Sequence, residues 1–69
     1  MKLVPGKLYR NNTEWSVSLW SLDWQGIVAC VYPGDMVLFL GEYLFLTNTG
    51  FVAKAPHHEL YSGGWEQVS

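Results

Sequence analysis

The chain is poor in charge and in cysteine. Four basic residues, Lys2, Lys7, Arg10 and Lys54, stand against six acidic ones in 69 residues. Four scattered cations cannot neutralise a run of phosphates, which is what nucleic-acid affinity chiefly requires. Cys30 is the single cysteine, so no internal disulfide can form and a reducing, cytoplasmic setting is expected. No Cys/His cluster has the spacing of a structural zinc site. The N-terminal MKLVPGKLYRNN has no apolar run of signal-peptide length, so no export is expected. The longest apolar run, Met36 to Leu46, is interrupted by Gly41-Glu42 and is about half the length of a membrane-spanning helix. Repeats, low-complexity segments and linkers are also absent. Neither a phosphate-binding loop nor a dinucleotide fingerprint occurs.

What is present is apolar and aromatic. Hydrophobic residues make up 49% of the chain, which argues against disorder. A chain of this length forms one domain, 1–69, and buries only about 60% of its unfolded surface. With neither disulfide nor metal expected, association with itself or with a partner is the remaining support for so small a fold.

Turn signals divide the chain into short strands. Lys7 to Arg10 follows Pro5-Gly6 and precedes the turn cluster Asn11-Asn12-Thr13. In Glu14 to Trp24, Trp15, Val17 and Leu19 alternate with serines, and the phase changes at Leu19-Trp20, as at a bulge. Strand plus long loop is favoured there over a helix, whose second face would also be apolar. Ile27 to Tyr32 reads as a buried strand rich in β-branched residues. Pro33-Gly34-Asp35 is a turn in which Asp35 is expected to bond its own backbone.

Met36 to Leu40, Tyr43 to Thr47 and Gly50 to Lys54 form a meander with almost no charge. A two-residue Gly41-Glu42 loop suits the first hairpin, and Asn48-Thr49-Gly50 allows a second with two or three loop residues. With two-residue loops, one face is Val37, Phe39, Leu44, Leu46, Phe51 and Ala53. The other is Met36, Leu38, Leu40, Tyr43, Phe45, Thr47, Val52 and Lys54. A one-residue slip exchanges the faces of a strand, yet both faces of the meander stay apolar in either register. One face must be core. The other needs cover, from Trp15 to Tyr32 or from a partner. Ala55 to Leu60 reads as a short 3₁₀ turn, and Trp65 to Val68 as a last strand.

The order Gly34-Asp35, apolar strand, Gly41-Glu42, Asn48 to Gly50, Gly50-Phe51-Val52 and a short turn ending at Leu60 resembles SH3-like barrels over residues 33–68. The resemblance implies an all-β small barrel of five or six antiparallel strands, with the 3₁₀ turn before the last. Of the proline-peptide groove of eukaryotic SH3 domains only Leu8-Tyr9 has an echo. Tyr43 stands where a Trp is usual, and Ala53 replaces the groove proline. The compact length, tryptophan load and short turns also resemble small SH3-like proteins encoded by bacteriophages, which would imply an accessory or anti-host role in a host cytoplasm.

For chemistry the sequence offers little. His57-His58-Glu59 is the one cluster of metal-ligand types, and adjacent residues rarely close on one ion. Cys30 reads as a small buried hydrophobe. No pair of carboxylates can be argued to face each other, so neither catalysis nor a cofactor is expected. A small barrel encloses about fifteen to twenty side chains, whereas the chain has about thirty large apolar ones. The surplus is rich in Trp and Tyr, the types that anchor interfaces. The expected function is a non-catalytic interaction module binding itself or a protein partner. Its candidate anchors are Trp15, Trp20, Trp24 and Trp65, then Tyr9 and Tyr43. The alternative is a nucleic-acid-binding barrel of KOW or cold-shock type, which stacking aromatics would suit and the shortage of cations opposes. A small metal-binding or enzymatic domain ranks last.

Overall fold

The computed structural model describes residues 3–55 and 64–69. They form strands β1 (Leu8–Asn11), β2 (Val17–Trp20), β3 (Ile27–Val31), β4 (Met36–Gly41), β5 (Leu44–Thr47), β6 (Val52–Lys54) and β7 (Trp65–Gln67), with no helix among them. All pair antiparallel in one curled, barrel-like sheet of order β3-β2-β6-β5-β4-β1-β7. The all-β class stands. The described residues form seven strands rather than five or six. The expected 3₁₀ turn and His57-His58-Glu59 lie outside the described residues.

Backbone conformation sets the hairpins. Thr47 N donates to Phe51 O at 2.8 Å and Gly50 N to Thr47 O at 3.1 Å, so the second loop is Asn48-Thr49-Gly50, the three-residue option. Gly50 closes it at φ +90°, a conformation that costs a residue with a Cβ about 1 kcal/mol. The first hairpin departs from expectation. Phe39 pairs with Phe45 and Gly41 with Leu44, leaving Leu40 as the extra residue of a bulge and Glu42-Tyr43 at the tip. Positive φ at both Gly41 and Glu42 makes this register possible. The slip of one residue exchanges the faces of β5, so Phe45 points with Val37 and Phe39 while Leu44 and Leu46 point the other way. At Leu19/Trp20 the ladder does shift register, as the sequence pattern anticipates.

The inner face holds Tyr9, Leu19, Val31, Val37, Phe39, Phe45, Ala53 and Trp65, each no more than 5% exposed. Phe45 is its centre. Its ring lies 5.2 Å from Phe39 and is stacked at 5.4 Å and 21° on Trp65. Leu3 and Ala55 complete the cluster. The Tyr9 hydroxyl accepts a 2.7 Å bond from Val4 N, holding the segment before β1 against the sheet.

Among the described residues one polar side chain, that of Asn11, is buried. Its Nδ2 donates to Trp15 O and Val31 O, both at 2.8 Å. Its Oδ1 accepts from Thr13 N at 3.0 Å and Thr13 Oγ1 at 2.6 Å. Its backbone N donates to Asp35 O and its O accepts from Gly34 N, both at 2.9 Å. All the hydrogen-bonding capacity of the amide is used, as burial demands. The side chain ties β1 to the end of β3 and to the loop before β2. Asp35 bonds within its own turn as expected, its Oδ2 accepting from Tyr32 N at 3.2 Å.

The expected burial of Ile27 to Tyr32 is not found. β3 is the edge of the sheet, and of Ile27–Val31 only Val31 is buried. Cys30 is correspondingly exposed, opposite Ser18 on the outer face.

Candidate functional site

The outer face follows from the same registers. Opposed residues of an antiparallel pair share a face. Leu8 pairs with Leu38, Leu38 with Leu46, and Leu46 with Val52. Four aliphatic side chains thus form an unbroken row across β1, β4, β5 and β6. Met36, two residues before Leu38 on β4, extends the row. Leu8, Met36 and Val52 are each exposed by about two fifths. So is Leu40, the bulge residue. A shallow cleft of about 280 Å³ opens between Leu8, Met36, Leu38 and Leu46. Apart from the hairpin turn that carries Trp24, the segment Trp15 to Tyr32 does not lie across this face. Its strands continue the same sheet and send Leu19 and Val31 into the core.

One corner is aromatic. Leu44 pairs with Lys54, Lys54 with Trp20, and Trp20 with Ile27. The β2–β3 hairpin folds Trp24 onto this row. Its ring meets Tyr43 edge-on with centroids 6.1 Å apart, and Lys54 Nζ sits 5.3 Å from its centroid. The turn that aims Trp24 is held locally. Trp24 N donates to Ser21 O at 2.9 Å, and Ser21 Oγ donates to Asp23 Oδ1 at 2.6 Å. The bond from Ser21, aided by the Gln25 N–H, holds the Asp23 carboxyl below its ordinary pKa. Trp24 itself adopts φ 63°, the left-handed region that bulky residues avoid. Trp24→Ala keeps that strain and loses the ring, whereas Trp24→Gly loses both. The glycine variant is therefore expected to be the more stable of the two by about 1 kcal/mol, measured by urea unfolding.

The six aromatic candidates separate. Trp24 and Tyr43 are brought together at the corner, with half-buried Trp20 beside them in the Lys54 row. Trp15 stands apart at 74% exposure, on a loop whose backbone is fixed by Asn11 and Thr13. Tyr9 and Trp65 are not surface anchors, being 1% and 3% exposed in the core. Short strands leave too few large side chains to fill the inner face without them. The aliphatic row takes Leu38 and Val52 from one expected face of the meander, Leu46 from the other and Leu8 from outside it, so sequence pattern alone did not assemble it. The signal for it is that β4 and β5 lack charge on both parities.

Among the described residues no group of three His, Cys, Asp or Glu side chains could hold a metal. Of the described cations, Arg10 is paired with Glu66 at 2.9 Å and Lys54 is engaged by Trp24. Among the described residues no helix is long and apolar enough to cross a membrane. The described residues offer apolar area and aromatic edges for contact. Comparison with protein families, with characterised proteins and with solved structures finds no match.

Proposed function

We propose that the chain is a non-catalytic interaction module that binds a protein partner through the outer face of its sheet. The observation that carries this is the row Leu8–Leu38–Leu46–Val52, apolar across four adjacent strands, exposed at Leu8 and Val52 and half-buried at Leu38 and Leu46. Single exposed apolar residues are ordinary, but a contiguous patch flanked by aromatic residues is the signature of an interface. Trp24, Tyr43 and Trp20 supply anchors at one end, and the Arg10–Glu66 pair borders the other through the Arg10–Met36 register. The SH3-like arrangement read from residues 33–68 belongs to the same proposal.

The placement of the cations favours this reading over a nucleic-acid interface. Arg10 and Lys54 are engaged at opposite ends of the apolar row and do not form a basic track. The test uses partner capture from the source cells. Met36→Glu and Val52→Glu are expected to abolish retention of a discrete partner while shifting Tm by only a few degrees, because both positions are already exposed. Lys7→Ala should leave retention unchanged. Retention that survives both glutamates, or that is matched by a single-stranded oligonucleotide at moderate salt, overturns the proposal.

A further inference from the structure

The two edges of the sheet are protected unequally. β7 is three residues long, and Glu66 at its centre is charged, exposed and paired with Arg10. Short length and charge are the usual defences of an edge strand. β3, at the other edge, is five residues long and lies in a stretch, Gln25 to Pro33, with no charge at all. Ile27, Val28 and Tyr32 are 55%, 48% and 59% exposed, and Cys30 is exposed beside them. Among the described residues no strand pairs with the far side of β3.

We infer that β3 is a pairing edge through which two copies of this chain join antiparallel across a two-fold axis, continuing one sheet from copy to copy. The inference goes beyond the outer-face reading and does not depend on it.

Self-pairing is favoured by the composition of the strand. Antiparallel pairing about a two-fold axis is isologous, so each copy supplies the complement the other needs. Because the stretch carries no charge, the two-fold operation sets no like charges opposite one another. β-Branched Ile27 and Val28 suit strand pairing. The structure also limits the length of the contact. Val31 O is taken by Asn11 Nδ2, and Tyr32 N by Asp35 Oδ2. The run left open is Ile27 to Cys30, bent by the bulge at Val28, which is the unpaired residue between Ala29 and Ile27 in the β2 ladder. A contact this short buries less than a standard interface, so the dimer is weak and concentration-dependent.

Sedimentation velocity from about 10 μM to 1 mM tests this range of weak association. The wild-type chain is expected to move from monomer toward dimer across the range. Val28→Lys should stay monomeric throughout, since an edge lysine blocks strand addition. Leu38→Glu, on the outer face, should dimerise like wild type. Ile27→Lys, also at an exposed position, replaces Val28→Lys if thermal unfolding shows that variant to be misfolded. Amide NMR signals of Ile27 to Cys30 should shift with concentration in the wild type alone of the wild-type and Val28→Lys pair. A wild-type chain that remains monomeric at 1 mM overturns the inference. So does a dimer that survives the lysine variants, or one that Leu38→Glu abolishes. Loss of partner capture with dimerisation intact would instead concern the outer face alone.

Discussion

Phe45→Ala is expected to leave the chain largely unfolded at room temperature. Phe45 is fully buried and touches rings on both sides, Phe39 from β4 and Trp65 from β7. Truncating a buried Phe to Ala costs about 3–5 kcal/mol, the transfer of the ring plus the cavity left behind. A domain of this size has a total stability of about 3–10 kcal/mol. The loss is therefore comparable to everything holding the fold together. Stacked aromatic geometry adds about 0.5–1.5 kcal/mol beyond area, so even Phe45→Leu, which keeps most of the volume, should cost about 1–2 kcal/mol. Urea unfolding monitored by tryptophan fluorescence measures both. A Phe45→Ala variant with a midpoint near wild type would show that the ring stack does not organise the core.

Asn11 carries the second large effect, and its chemistry makes that effect pH-dependent. Asn11→Ala leaves Val31 O and the Thr13 N–H without the amide that satisfies them, and Trp15 O with the Thr13 hydroxyl alone. Each buried orphan costs about 1–3 kcal/mol, discounted where water can enter, so a loss of about 3 kcal/mol is expected. Asn11→Asp is the sharper probe. The side chain keeps its shape and the acceptor that serves Thr13, but it sets a carboxylate oxygen about 2.8 Å from two carbonyl oxygens in place of the donating Nδ2. The charged form is disfavoured in the folded state, so the folded pKa rises above the unfolded value of about 3.9. The folded state then binds more protons than the unfolded one, and stability falls as pH rises through that interval. Asn11→Asp should be at its worst at pH 7 and recover part of its loss as pH drops toward 4. Asn11→Ala should show no such recovery. Urea midpoints for the two variants across that pH range decide between a hydrogen-bonding hub and a merely space-filling side chain.

How much of this could be read from residues depends on how local its cause is. Turns were legible at Gly34-Asp35 and Asn48 to Gly50, because a positive φ or a side-chain-to-backbone bond is settled within four residues. The phase change at Leu19-Trp20 was legible for the same reason. The faces of β5 were not. They hinge on whether Leu40 joins the ladder or bulges out of it, and both hairpins suit Gly41 equally. The exposure of β3 was also invisible. An uncharged run of β-branched residues reads as interior, and only the strand order reveals that no described strand lies beyond it. Asn11 looked like a turn asparagine. Its burial depends on Val31, twenty residues away, and on the turn at Asp35. The candidate anchors divided along the same line. Trp15 and Trp24 sit in loops whose own hydrogen bonds expose them, whereas Tyr9 and Trp65 were drawn inward by strands distant in sequence. That both faces of the meander are apolar survived every one of these shifts, because it depends on composition and not on register.

The strand order has a consequence for how the chain can be made. β1 lies between β4 and β7, and Arg10 meets Glu66 from 56 residues away. At about 5–20 residues per second, β7 is synthesised about 0.5–3 s after β6. Until β7 is in place, one side of Phe45 has no ring against it and β1 is itself an unpaired edge. Without β7 the sheet has two open strands, β1 and β3, and a half-covered core. Closure by β7 removes one of those edges. A chain cut before Gly64 would display a sheet able to add strands at either end, and during folding the time spent in that state sets the hazard of premature association.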